Sequence, residues 1–216
     1  MKLKVTGVIM DLDGTLVDSR QAYREALRRA FAAFGFSDFD AKLVFEIPRR
    51  LEQGMSINDL LPFRDVEKFL SLYLDTYYAL TEELSKPMSG VDETLKKLRG
   101  KVKLALLTMR HTSRNNVKRE LEKFRLAKYF RCIVTALDTS SPKPSPEPIL
   151  ACAQLLGVNI NDCAVVGDSI SDVRAGKAAG ARTIALLSGI FTRNELEREK
   201  PDLVIENINA LPDFIL

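Results

Sequence analysis

Val5-Thr6-Gly7-Val8-Ile9-Met10-Asp11-Leu12-Asp13-Gly14-Thr15-Leu16-Val17-Asp18-Ser19 is the stretch that decides the fold. Its apolar run reads as a buried strand, and Gly14 as the turn that follows. The run ends in two carboxylates spaced i, i+2, so Asp11 and Asp13 project from the carboxyl end of that strand. In open α/β sheets this is where ligands bind. A carboxylate placed there acts as a nucleophile, a metal ligand or a proton carrier, and one segment supplies two of them.

Beyond residue 100 short apolar, β-rich runs recur. Strands are predicted over 102–107, 132–135, 163–166, 183–187 and 203–205, with helical patterns between them over 113–124, 146–156 and 172–179. A helix over 91–98 precedes them and stops at Gly100. Alternating strand and helix with near-continuous apolar strands predicts a parallel sheet covered on both faces. Residues 18–86 break the alternation. Tyr23, Ala26, Leu27, Ala30, Phe31 and Phe34 recur at helical spacing, as do Val66, Phe69, Leu70, Tyr73, Tyr77, Leu80 and Leu84. This segment reads as an all-helical insert after the first strand, with the aromatic stripes as its own core. Lys86-Pro87-Met88-Ser89-Gly90 reads as the return linker. The expected organisation is therefore an α/β core of residues 1–17 and 87–216 with a helical insert, 18–86, placed over the carboxylates.

Composition narrows the class. The 216 residues carry 32 basic and 29 acidic side chains, a net charge of +3. That balance points away from nucleic acid or a membrane surface as partner. No apolar run reaches the roughly 18 residues of a membrane span. The start of the chain lacks the apolar region of a signal peptide. Cys132, Cys152 and Cys163 form no C-x-x-C pair and no zinc spacing, and read as reduced thiols of a cytoplasmic protein.

Four elements fall just after predicted strands: Asp11-Leu12-Asp13-Gly14-Thr15, Leu106-Leu107-Thr108, Lys143-Pro144-Ser145-Pro146, and Val165-Val166-Gly167-Asp168-Ser169-Ile170-Ser171-Asp172. In a parallel sheet all four strand ends lie along one edge, so these groups converge. Such a set suits phosphoryl transfer. Clustered carboxylates repel, and a hard divalent cation such as Mg²⁺ relieves this. Asp11 and Asp168 are candidate ligands, with the Asp13 backbone carbonyl a third. Lys143 offsets phosphate charge and Thr108 donates to a phosphate oxygen. Asp11 is the candidate nucleophile, and Asp13 the group that protonates the leaving group and then deprotonates water. Gly14 and Thr15 are candidate substrate-binding residues beside them.

These residues resemble the haloacid dehalogenase superfamily over nearly the whole chain. Its four motifs look like Asp11-x-Asp13-Gly14-Thr15, Thr108, Lys143 and Gly167-Asp168-x-x-x-Asp172. The resemblance implies a Rossmann-like core, a Mg²⁺ cofactor, Asp11 as nucleophile, Asp13 as acid/base and Asp168 as metal ligand. It implies that Asp172 positions the metal or its waters. The insert then resembles the family's helical cap, which opens and closes over the site.

Members that cleave carbon–halogen bonds lack an acid two residues after the nucleophile, so Asp13 favours phosphate chemistry. The mutase members carry a cap-side histidine, whereas His111 is the only histidine here. Lys42 and Lys68 have no context that marks a Schiff-base lysine. The nearest resemblance is to phosphoglycolate-phosphatase-like members, and the expected substrate is a small phosphorylated metabolite. A phosphotransferase of the β-phosphoglucomutase type and a non-catalytic binding protein are the alternatives. The family often places Asn after the second-motif hydroxyl. Here Met109 offers a backbone N–H to phosphate, and Arg110 is either a substrate contact or a solvated arginine at a helix start. Arg49 and Arg50 in the insert carry the same two readings: a contact to a substrate anion or a solvated helix-start arginine. Arg24, Arg28 and Arg29 read as a solvated helix face. The expected state is a monomer or homodimer.

Overall fold

A computed structural model describes residues 2–216. In chain order the elements are β1 (Gly7–Met10), β2 (Val17–Asp18), α1 (Arg20–Ala33), α2 (Leu43–Glu52), α3 (Val66–Leu84), β3 (Lys86–Pro87) and α4 (Val91–Arg99). They continue with β4 (Lys103–Leu107), α5 (Arg114–Lys123), β5 (Cys132–Val134), α6 (Glu147–Leu156), β6 (Cys163–Gly167) and α7 (Ile170–Ala179). The chain closes with β7 (Arg182–Leu186), α8 (Arg193–Arg198), β8 (Leu203–Ile205) and α9 (Leu211–Phe214). The chain divides into two compact units. One is the segment ending at Val17 together with Pro87–Leu216, and the other is Asp18–Lys86.

The first unit is built on a six-stranded sheet in the order β5-β4-β1-β6-β7-β8. Its strands pair parallel, with Met10 beside Leu106 on one side and Val166 on the other. Strand alternation sorts the side chains into two layers. Val8, Met10, Leu104, Leu106, Ala164 and Val166 pack with Leu95 and Leu98 of α4, Val117 and Leu121 of α5, and Leu211 of α9. Ile9, Ala105, Leu107, Cys163 and Val165 pack with Ile149, Cys152 and Leu156 of α6 and Ala175 of α7. A sheet buried on both faces needs strands without a polar face, which is why these runs are nearly all apolar. From β1 the chain moves outward through β4 and β5, then crosses back to β6 on the other side of β1. The reversal makes the carboxyl ends of β1 and β6 the switch point where such sheets open a crevice.

The boundaries differ from expectation where a turn or cap intervenes. The strand expected from Val102 begins at Lys103, because the Val102 N–H closes the end of α4 on the Leu98 carbonyl (2.9 Å). The helix expected from Asp172 starts at Ile170. Ser169 is its N-cap and Asp172 its third residue, each side chain accepting from the other's backbone N–H.

The second unit is helical. Ala22, Ala26, Leu27, Ala30 and Phe31 line α1, and Phe69, Tyr73, Tyr77 and Leu80 line α3. Tyr23 stacks on Tyr77 with ring centres 4.6 Å apart, and Phe31 meets Phe69 edge-on at 5.6 Å. The aromatic stripes are thus core. No helix among the described residues is long and apolar enough to cross a membrane.

Candidate active site

The carboxylates stand at the switch point. The Asp11 N–H donates to the Val166 carbonyl (2.9 Å), carrying the β1–β6 ladder one residue past β1. The loop beyond then folds on itself: Leu16 and Val17 N–H groups both return to the Leu12 carbonyl. Gly14 takes φ +80°, and a Cβ on it would lie 2.3 Å from Asp168 Oδ2, so conformation and space both require glycine. Thr15, fully buried, donates its hydroxyl to Asp168 Oδ1 at 2.8 Å. The Ser188 hydroxyl donates to the Gly14 carbonyl at 2.7 Å, tying the loop after β7 to this turn. Gly189 of that loop presses its backbone against Asp168: a Cβ there would sit 1.7 Å from Oδ2.

Asp172 divides its oxygens. Oδ2 accepts from Ser169 Oγ at 2.7 Å within the helix cap, and Oδ1 accepts from Lys143 Nζ at 2.6 Å. The same ammonium donates to Asp11 Oδ1 at 2.6 Å. Lys143 is buried, although its loop is polar and proline-rich, because it bridges two carboxylates from different strand ends. One oxygen from each of Asp11, Asp168 and Asp172 falls in a group whose members lie within 4.8 Å of one another. Three carboxylates against the single charge of Lys143 make a site that attracts a divalent, oxygen-seeking cation. The donor set, all oxygen and held by fixed neighbours, fits Mg²⁺.

The Asp13 carboxylate turns elsewhere. It meets the Arg110 guanidinium edge-on, with Nε to Oδ2 at 2.8 Å and Nη2 to Oδ1 at 2.6 Å. Arg110 is only 3% exposed, so it is not a solvated helix-start residue; its other edge binds the equally buried Glu120 of α5. Sequence reasoning missed Glu120, Ser188 and Gly189. Glu120 alone left a local trace, a carboxylate on the apolar stripe of α5 beside Val117 and Leu121.

The Thr108 N–H extends β4 by donating to the Val134 carbonyl at 2.9 Å. Its buried hydroxyl accepts from the Arg110 N–H at 3.3 Å, which leaves the hydroxyl proton to donate. Met109 places its sulfur as acceptor for the Lys143 N–H at 3.1 Å, bracing the lysine loop. Arg49 and Arg50 belong to the helical unit and lie in the last turn of α2, not at a helix start. Arg50 pairs with Glu46 at 3.0 Å and Asp59 at 2.5 Å, and Arg49 approaches Glu46 at 3.8 Å.

Known proteins resemble this chain in sequence and in fold. Residues 8–186 match the family model of the haloacid dehalogenase-like hydrolases. Phosphoglycolate phosphatase 1 of Pseudomonas aeruginosa is 33% identical over 213 residues, covering 94% of this chain and 77% of that protein. Pyrophosphatase PpaX of Halalkalibacterium halodurans is 29% identical over 99% of this chain and 98% of its own length. A haloacid dehalogenase-like hydrolase of Streptococcus pneumoniae superposes with a TM-score of 0.83 at 20% identity, covering 98% of each chain, which shows the common fold. From the carboxylates at the switch point and a match spanning most of its length, the chain belongs to the haloacid dehalogenase-like hydrolases.

Proposed function

We propose that the protein is a Mg²⁺-dependent phosphatase that hydrolyses a small phosphorylated metabolite through an aspartyl-phosphate on Asp11. The observation that carries this reading is the buried Lys143 ammonium joining Asp11 and Asp172, with Asp168 in the same group of oxygens. The names of the relatives, phosphoglycolate phosphatase and pyrophosphatase, support phosphate chemistry on small substrates. Mg²⁺ would be held by Asp11, Asp168 and Asp172 with the Asp13 carbonyl, and when bound it supplies positive charge beside the phosphoryl oxygens.

The chain's own residues perform the rest. Asp11 attacks phosphorus, and the bonding pair of the scissile P–O bond leaves with the alcohol oxygen, which takes a proton from Asp13. Asp13 then removes a proton from water as it attacks the aspartyl-phosphate, and the bond to Asp11 breaks to restore the carboxylate. Lys143 holds one Asp11 oxygen and sets its direction of attack. The Thr108 hydroxyl and the Met109 N–H donate to phosphoryl oxygens. Most of the rate comes from this fixed positioning and charge. Asp18–Lys86 would serve as the cap that selects the substrate, with Arg49 or Arg50 as the cationic contact. Arg49→Ala or Arg50→Ala should raise KM on the best substrate with kcat little changed; an unchanged KM in both removes the pair from substrate recognition.

Phosphate release from 2-phosphoglycolate, sugar phosphates, nucleotides and pyrophosphate, measured with Mg²⁺ and with EDTA, tests the proposal. Release should need the metal, and Asp11→Asn should abolish it while the protein stays folded. Substantial turnover by Asp11→Asn would refute the nucleophile. Transfer of phosphate to a second sugar, with no free phosphate, would make the enzyme a phosphotransferase.

A further inference from the structure

We infer that Arg110 is a positioning residue for the acid/base carboxylate of Asp13, and that Glu120 is the anchor that fixes Arg110. The inference rests on the reading of Asp13 given above.

Three elements contribute one group each: Asp13 from the loop after β1, Arg110 from the segment after β4, and Glu120 from the middle of α5. The Arg110 contact to Asp13 uses two parallel N–H donors, 2.8 and 2.6 Å from the two oxygens. A fork of this kind fixes the plane of a carboxylate as well as its place, which a lysine ammonium cannot do. The guanidinium is fixed in turn. Nη1 donates to Glu120 Oε2, and Nη2 also reaches Oε1 at 3.4 Å. The Arg110 backbone is held on both sides, its N–H by Thr108 Oγ1 and its carbonyl by the Ala136 and Thr112 N–H groups.

Glu120 shares its face of α5 with Val117 and Leu121, both fully buried. A leucine would fill that position with no charge to desolvate. Buried ion pairs add little net stability over such apolar replacements. The glutamate therefore contributes orientation: it directs Arg110 so that the Nε–Nη2 edge faces Asp13. A substrate anion seeking that edge would have to displace Asp13. The sequence left Arg110 open between a substrate contact and a solvated arginine; the geometry gives it a third role, aiming the acid/base carboxylate.

Proton donation matters most when the leaving group is basic. Phenyl phosphate and p-nitrophenyl phosphate share the aryl phosphate ester but differ in how much protonation their leaving oxygen needs, and each variant is compared with wild type on the same ester. Their kcat/KM values report the attack by Asp11 and departure of the phenol. Arg110→Lys and Glu120→Gln should each lower kcat/KM for phenyl phosphate by about 10- to 100-fold and for p-nitrophenyl phosphate by less than about threefold. Arg110→Met/Glu120→Leu removes both fully buried charges together, so Glu120 is not left orphaned while the partly exposed Asp13 carboxylate can be solvated, and it should show the same split with Tm close to wild type. Equal losses on the two substrates would overturn the inference: with raised KM they would make Arg110 a substrate ligand, and with lowered Tm a structural support. Asp13→Asn must show the split at least as strongly. If the wild type is active and Asp13→Asn shows none, Asp13 is not the acid. If the wild type releases no phosphate from either ester or from the metabolite panel, the phosphatase reading falls and takes this inference with it.

Discussion

Gly189→Ala adds one methyl group to a loop residue that carries no functional atom, and it should cripple the enzyme. The new Cβ would lie 1.7 Å from Asp168 Oδ2, half the 3.4 Å at which ordinary contact begins, and 2.4 and 2.6 Å from Asp168 Cγ and Cβ. The Cβ of Asp168 is fixed by the end of β6, so the carboxylate cannot simply swing aside. It must move by ~1 Å or more and loosen its hydrogen bond from Thr15. Misplacement of a reacting or orienting group by that distance costs on the order of 100-fold, equivalent to ~2.7 kcal/mol of transition-state stabilisation. If Asp168 holds Mg²⁺, the concentration of Mg²⁺ for half-maximal activity should also rise by ~10-fold or more. The assay is kcat/KM and Mg²⁺ half-saturation on the best substrate, with Tm recorded alongside. Gly100→Ala is the control. Gly100 has a helical φ of −75° and its Cβ would meet only the Lys97 carbonyl at 3.7 Å, so activity should hold and stability rise by ~0.4–1 kcal/mol. A Gly189→Ala enzyme with wild-type activity and wild-type Mg²⁺ dependence would refute both the close packing against Asp168 and its place in the site.

Other outcomes follow from contacts away from the site. Burial pushes the Asp202 carboxyl up, but the Thr183 N–H (2.8 Å) and the Arg182 guanidinium (2.9 Å) outweigh it and hold the group below its ordinary value. A depressed folded value stabilises the protein above the unfolded carboxylate range, about pH 4, and this stability is lost as pH falls through the folded value. Asp202→Asn should therefore lower stability at pH 7 by ~1–2 kcal/mol and flatten the acid limb of a urea-midpoint profile, while an unchanged profile would remove Asp202 from acid sensitivity. Phe69, fully buried between Phe31 and Tyr73 in the helical unit, should cost ~3–5 kcal/mol when replaced by alanine, read by denaturant unfolding. A loss below ~1 kcal/mol would mean that the unit's core lies elsewhere.

The fold class was legible because the strands of the first unit are buried on both faces and had to be written as short apolar runs. Three of the four motif elements were legible for a related reason: a parallel sheet gathers every carboxyl end on one edge, so Asp11, Thr108 and Asp168 could be placed without knowing the strand order, whereas Lys143 lies nine residues past β5 in the loop before α6. What a linear reading could not supply was partnership. Whether Lys143 sits on the surface or between Asp11 and Asp172 depends on a loop packing across from β1 and β6. Gly189 matters only because the loop after β7 returns to Asp168. Gly14 was legible as a turn, but that its missing side chain makes room for Asp168 was not.

Glu120 is the instructive case, since its signal was local. A carboxylate between Val117 and Leu121 on a helix otherwise read as amphipathic needs a cation, because an ionised group buried alone is too costly. Arg110 lies ten residues earlier, at the other end of the turn leading into α5. Taken together, the two positions place a paired arginine at the second strand end, and a paired arginine beside Asp13 is a different chemical object from a solvated one. A buried charge on an apolar stripe thus carries information about the site that the motifs themselves omit: the motifs name the candidate groups, and Glu120 shows what Arg110 is paired with.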